Sequence, residues 1–225
     1  MELIELERKV LRRNNELAET LRDARHQHGT FTFNLIGSPG AGKTTLLESL
    51  LGELAAQYRV GVIEGDAQTS LDAERLESFD IEVVQVVTQG ACHLDAQMVQ
   101  KAEATFESEL DLLIIENVGN LLCPATFDVS EDAKVVVLSV TEGEEKPLKY
   151  PVVFERAEVV VLTKTDLLPH LDVDKEKFHR YIRQVNPEAE VFETDWKRPE
   201  SFEPFQDWIQ TGVAGLANRG GVSYL

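Results

Sequence analysis

Short runs of Val, Ile and Leu recur along the chain: FTFNLI (31–36), RVGVIE (59–64), IEVVQVV (81–87), LLIIE (112–116), KVVVLSV (134–140) and EVVVLT (158–163), with a weaker AEVF (189–192). A strand with one wet face alternates apolar and polar residues. Nearly continuous apolar runs belong to strands covered on both faces, and helical stretches between them are what a parallel sheet requires. The expected fold class is therefore α/β, a mostly parallel sheet with helices on both faces. At the N-terminus, Leu3, Leu6, Val10, Leu11, Leu17 and Leu21 recur at helical spacing with Arg and Glu on the other face, which predicts a helix packed on the domain within residues 1–28. Residues 29–211 form the expected main domain, with helices over 44–57 and 202–209. The Gly-rich residues 212–225 carry no period and are expected as a loose tail.

Composition narrows the class only modestly. A chain of 225 residues suits one core. The net charge of −18 argues against a nucleic-acid binder, since phosphate neutralisation needs clustered Lys and Arg, so any anion site must be local. There is no apolar run of 18 residues and no signal-peptide core, which leads us to expect a cytoplasmic protein that does not enter a membrane. Two cysteines cannot build a disulfide framework, so any role they have is chemical or incidental.

The first run leads into GSPGAGKT, which fits G-x-x-x-x-G-K-[ST] and lies between a strand and a helix, where that motif must lie. Gly37, Ser38, Pro39, Gly40, Ala41 and Gly42 are expected to wrap the phosphates, with Gly37, Gly40 and Gly42 letting the backbone fold tightly and point its N–H groups inward. Lys43 reaches the outer phosphates, Thr44 ligates Mg²⁺, and Thr45 stands behind them at the helix start. A glycine-rich turn that binds nothing is the bland reading; the flanking strand and helix count against it.

The sixth run ends in TKTD. This resembles the [NT]-K-x-D guanine-reading element of GTPases. The Asp166 carboxylate would accept from N1–H and the 2-amino group of guanine, whereas adenine would leave it unpaired. Such paired polar recognition rejects the wrong ligand by roughly 10⁴-fold. The stem of Lys164 would lie against the base. Thr163 stands where Asn is commoner, and weaker bracing of the phosphate loop is expected from it. The Ser-Ala-Lys stretch that often follows has only a loose echo around Thr194 and Lys197.

Two acidic residues end strand-like runs or follow them: Asp66 in EGDAQTSLDAERL, and Glu116 in ENVG, which resembles the D-x-x-G switch of GTPases. Mg²⁺ prefers oxygen ligands and keeps several waters, so Thr44, Asp66 and Glu116 suffice beside phosphate oxygens. Lys43, Asp66 and Glu116 are the residues expected to carry catalysis, with the Gly119 N–H on the γ-phosphate. Asp72 and Glu74 read as helix-start and solvent-face charges. No Gln or Arg stands out for the attacking water.

Cys92 and His93 adjoin one another, and Cys123 follows Gly119 by four residues. Two thiolates and an imidazole suit Zn²⁺ or Ni²⁺, and three ligands per chain leave a site that a symmetric dimer would complete. The 31-residue gap is not a diagnostic metal spacing, so on spacing alone the reading of these three as packing residues stands ahead of metal binding.

Residues 10–170 resemble the nickel-incorporation GTPases that mature nickel-iron hydrogenases, on NLIGSPGAGKTTLLE, EGDAQTSLDAERL, GACHLDAQMV, LLIIENVGNLLCPATFD and LSVTEGEEKPLKYP. The resemblance implies a P-loop GTPase with GTP/GDP, Mg²⁺ and Ni²⁺ or Zn²⁺. It implies that Cys92, His93 and Cys123 hold nickel or zinc at the interface of a GTP-loaded homodimer. It further implies that the loop near Lys146 and Lys149 helps dimerise or approaches the base, and that a nickel metallochaperone and the hydrogenase large-subunit precursor are partners. No His-rich or Cys-rich stretch precedes the first helix, so a separate nickel store is not expected. The alternatives are a related GTPase for urease or a cobalamin enzyme, a metal-independent GTP-controlled scaffold, and an ATP-dependent kinase, which TKTD argues against.

Overall fold

The structure, a computed structural model, describes residues 2–66, 75–76, 78–88 and 90–220, with side chains from Arg8 to Asn218. Seven strands form one sheet: β1 (Phe31–Gly37), β2 (Val60–Asp66), β3 (Glu82–Val87), β4 (Leu112–Glu116), β5 (Ala133–Ser139), β6 (Val159–Thr163) and β7 (Glu190–Glu193). Their order is β3-β2-β4-β1-β5-β6-β7, and every pair is parallel. Among the described residues, helices with both ends placed are α1 (Glu2–His28), α2 (Lys43–Ala55), α3 (Ala96–Glu103), α4 (Cys123–Thr126), α5 (Lys146–Lys149), α6 (Pro151–Glu155), α7 (Lys175–Val185) and α8 (Glu203–Gly220).

Alternate residues of the buried strands supply two cores. Leu35, Val62, Ile114, Val137 and Val161 meet Leu47, Leu50 and Leu54 of α2 and Phe205 and Ile209 of α8. On the other face Val136, Leu138 and Val160 meet Phe154 of α6 and Phe178 and Ile182 of α7, while Ile63, Leu113 and Ile115 meet Val99 and Ala102 of α3. That two-sided burial is why the runs lack polar alternation.

The seat of α1 is polar. Arg25, 4% exposed, donates to both oxygens of Glu103 at 2.8 Å and to the Ser130 carbonyl at 2.8 Å, and His26 Nε2 lies 2.5 Å from Asp132 Oδ1. Its apolar spacing contributes less: Ala18 is fully buried, but Val10 is 51% exposed.

The expected loose tail requires correction. Residues 212–220 continue α8, and Val213 and Leu216 are buried. Gly212 is there for close approach: a Cβ on it would come within 2.6 Å of the Phe31 ring. Small residues let the helix lie on the sheet, a use of glycine that its low helix propensity hides. Residues 221–225 lie outside the described residues, as do Asp72 and Glu74. No helix among the described residues is long and apolar enough to cross a membrane.

Candidate functional site

β1 is central; the chain leaves its carboxyl end toward β2 on one side, while the chain leaving its neighbour β4 crosses to β5 on the other, and such a reversal is where open α/β sheets bind ligands. A cavity of about 470 Å³ opens there, between the loop from β1 to α2 and the ends of β2 and β4. Gly42 caps α2 at φ 98°, a left-handed conformation that favours glycine. Lys43 and Thr44 begin the helix nearly buried. Thr44 Oγ1 donates to Glu116 Oε1 at 2.9 Å, and Lys43 Nζ lies 3.9 Å from the same oxygen. Asp66, the last residue of β2, lines the same cavity.

The loop is braced from β6. Thr163 Oγ1 donates to the Ala41 carbonyl at 2.6 Å across 122 residues. The short hydroxyl reaches the loop because β6 ends close to it. Lys164, at φ 61°, sends Nζ to the Gly40 carbonyl at 2.7 Å. Asp166 is nearly buried; its Oδ2 lies 3.6 Å from Lys197 Nζ, and its Oδ1 has no hydrogen-bond partner among the described residues. An acceptor buried without a donor is costly unless a ligand supplies one.

The segment after β4 touches everything else. Gly119 packs on Pro39 so closely that a Cβ would lie 3.0 Å from its ring and 3.2 Å from its backbone. Asn120 forms a β-bridge with Gly37; its Nδ2 donates to the Cys92 carbonyl at 3.2 Å and its Oδ1 accepts from the Leu122 amide at 3.0 Å. Asn117 Oδ1 accepts from the Leu94 amide at 3.1 Å.

Cys92, His93 and Cys123 thereby converge. Their ligand atoms all lie within 4.8 Å of one another, with Cys92 Sγ 2.7 Å from Cys123 Sγ and 3.6 Å from His93 Nδ1. Bonds of about 2.0–2.3 Å from one ion span such a group. Local capping explains the placement. Asp95 accepts from the Met98 amide at 2.8 Å and starts α3 just after the Cys-His pair, while Pro124 sits in the first turn of α4 beside Cys123. The His93 ring lies against Phe127, centroids 3.9 Å apart. Burial lowers the His93 pKa against the Asp95 carboxylate, which favours the neutral, metal-binding imidazole. The Cys92 thiol, with burial, pushes the Cys123 thiol up, a cost that a bound cation reverses.

Among the lining residues that the sequence did not single out, Glu64, Arg75 and Trp196 stand out. Glu64, 2% exposed, stands opposite Glu116 in register; a carboxylate inside an apolar run was its signal. Arg75 donates to Thr45 Oγ1 at 3.0 Å and pairs with Glu48 at 2.5 Å, and nothing in its local pattern marks it. Trp196 occupies the stretch where a Ser-Ala-Lys echo was sought. Lys146 and Lys149 of α5 pair with Glu142 and Glu145, which precede that helix; neither lysine is among the cavity's lining residues, and the exposed Leu148 and Val152 are close in sequence.

The CobW/HypB/UreG nucleotide-binding domain model matches residues 31–193. The hydrogenase maturation factor HypB of Escherichia coli K12 is 46% identical over 212 residues, covering 93% of this chain and 72% of that protein. The crystal structure of HypB from Archaeoglobus fulgidus superposes with a TM-score of 0.85 at 37% identity, covering 90% of this chain and all of that one. HypB from Helicobacter pylori, solved in complex with nickel, gives 0.84 at 33% identity over 95% of this chain and all of that one. A sheet, phosphate loop and Cys-His-Cys cluster arranged in this way, with that likeness over nearly the whole chain, establish that this chain belongs to the CobW/HypB/UreG family, among the HypB hydrogenase maturation factors.

Proposed function

We propose that the chain is a cytoplasmic GTPase that delivers nickel during nickel-iron hydrogenase maturation, timing metal transfer by its nucleotide state. One observation carries the reading. The eight residues Glu116–Cys123 hold a carboxylate on Thr44, a glycine against Pro39, an asparagine bridged to Gly37, and a thiol of the Cys92-His93-Cys123 cluster. Any shift of this segment on γ-phosphate loss moves nucleotide and metal ligands together.

In this reading residues 37–45 cradle the phosphates, Lys43 neutralises their charge, and the Gly119 N–H bonds the γ-phosphate. Thr163 and Lys164 hold the loop while Asp166 reads guanine. The Thr44 hydroxyl and the Glu116 carboxylate, already 2.9 Å apart and both oxygen donors, fit Mg²⁺ with Asp66. Mg²⁺, when bound, supplies charge neutralisation on the phosphates. Turnover in such switches runs at roughly 10⁻⁴ to 10⁻² s⁻¹, which suits timing better than metabolism.

Nickel, or zinc in its stead, is cargo for Cys92, His93 and Cys123. Three ligands leave a tetrahedral ion incomplete, so a second GTP-loaded copy completes it across a homodimer. Leu122, 61% exposed beside Cys123, with Leu148 and Val152, gives that contact apolar surface. A nickel metallochaperone supplies the ion and the hydrogenase large-subunit precursor receives it.

The test is Ni²⁺ calorimetry on the protein loaded with GDP or a non-hydrolysable GTP analogue, with dimer fraction read by light scattering. Nucleotide-dependent stoichiometry that vanishes in Cys92→Ala is expected. Nickel binding absent, or indifferent to both, would leave a metal-independent GTPase.

A further inference from the structure

We propose that Trp196 is the stacking platform for the guanine base, an inference that rests on the guanine-nucleotide reading above. The turn after β7 that carries it is held from both sides. The Thr194 carbonyl accepts from the amide and the hydroxyl of Thr165, the residue before Asp166, at 3.1 and 2.9 Å. Asp195 accepts from the Lys197 amide at 2.9 Å and from Arg198 Nε at 2.6 Å, and its own amide donates to Ser201 Oγ at 2.8 Å. The indole leans on Phe202, centroids 5.1 Å apart, and Phe202 is itself 5% exposed in the core. A ring presented on so fixed a turn loses little freedom when a ligand meets it.

Its position relative to the nucleotide loop gives the role. Trp196 Cζ2 and Lys164 Cε each lie 3.8 Å from the point where a Cβ on Gly42 would stand. The indole edge and the lysine stem therefore both border the phosphate loop at Gly42, and both line the cavity that opens beside it, where a base entering that cavity meets them. Lys164 is pinned through Nζ to Gly40, so its stem is a standing wall and cannot swing away without losing that bond. Two residues on, Asp166 holds the buried Oδ1 that has no donor. In this proposal the base packs on the indole and on the lysine stem, with the carboxylate at its edge. Division of labour follows: every base has a π-face, so Trp196 supplies affinity while Asp166 selects guanine.

The chain has two tryptophans. In Trp208→Phe the emission of Trp196 is read alone, and the difference between wild type and Trp196→Phe reads it with Trp208 in place. GDP is expected to quench Trp196 and ADP to leave it unchanged. By calorimetry, Trp196→Ala should weaken GDP roughly 5- to 150-fold, while Trp196→Phe, which keeps an aromatic face, stays within a few-fold of wild type. GDP that binds by calorimetry without changing Trp196 emission, and as tightly to Trp196→Ala, would overturn this inference and leave the guanine reading standing. Failure of the wild type to bind GDP at all would overturn both.

Discussion

Replacing Asp166 by Ala removes one carboxylate whose two oxygens have unequal surroundings. Oδ1 is buried with no partner among the described residues, and Oδ2 faces Lys197 Nζ at 3.6 Å. Lys197 is 68% exposed, so that pair is worth only ~0–1 kcal/mol, and its loss leaves the free protein nearly as stable as before. A bound guanine would put N1–H and the 2-amino group on the carboxylate. Each charge-assisted bond contributes about 1.5–3 kcal/mol. Losing both costs ~3–6 kcal/mol, or roughly 10²- to 10⁴-fold in Kd at ~1.4 kcal/mol per decade. The assay is calorimetric titration of wild type and variant with GDP, alongside thermal melts that establish folding. Asp166→Asn sharpens it: an amide offers a donor where the carboxylate offered an acceptor, so xanthosine diphosphate, with a carbonyl at position 2, should gain on GDP. A folded Asp166→Ala protein that binds GDP within about threefold of wild type would refute the assignment of this residue to base reading, since two buried charge-assisted bonds cannot vanish for less than ~1 kcal/mol.

Three other outcomes are expected. A mild thiol oxidant should join Cys92 to Cys123, whose sulfurs are 2.7 Å apart, and abolish nickel uptake; preloaded nickel should protect both thiols, and mass spectrometry of the peptides reads the link. Arg25→Ala strips Glu103 and the Ser130 carbonyl of a nearly buried donor and should cost about 3 kcal/mol in urea unfolding, with Arg25→Lys recovering only part because it lacks the bidentate fork; a loss below 1 kcal/mol would show that α1 is held by other contacts. At Glu193, burial raises the carboxyl pKa, but His179 at 2.7 Å and Lys175 at 3.1 Å outweigh it and hold the group below its ordinary value. A depressed carboxyl stabilises the fold fully above about pH 4.3 and loses that contribution as pH falls through its folded value, so Glu193→Gln should flatten the acid limb of a melting-temperature profile; an unchanged limb would remove this cluster from the account.

Local pattern alone carried most of the architecture. Apolar runs marked six strands and, more weakly, β7, because side-chain period is a local property; the two-sided burial they imply holds for β1, β2, β4, β5 and β6, while the edge strands β3 and β7 stay half-exposed. The phosphate loop, TKTD and the carboxylates at strand ends could be marked as candidates for a related reason, fixed residue types at fixed short spacing, and the structure sets them around one cavity or next to it. What lies far apart in the chain was settled only by strand order. Placing β4 between β1 and β2 set Glu64 beside Glu116, and placing β6 next to β5 brought the Thr163 hydroxyl to Ala41 across 122 residues. The same sheet brought Cys92 to Cys123, a juxtaposition that a 31-residue gap does not encode. The Gly-rich C-terminal stretch read as a loose tail because glycine is a poor helix former, yet Gly212 is helical where Phe31 leaves no room for a side chain. Periodicity and spacing determined what each segment is. Close packing across the sheet, which depends on every segment at once, determined what each segment meets.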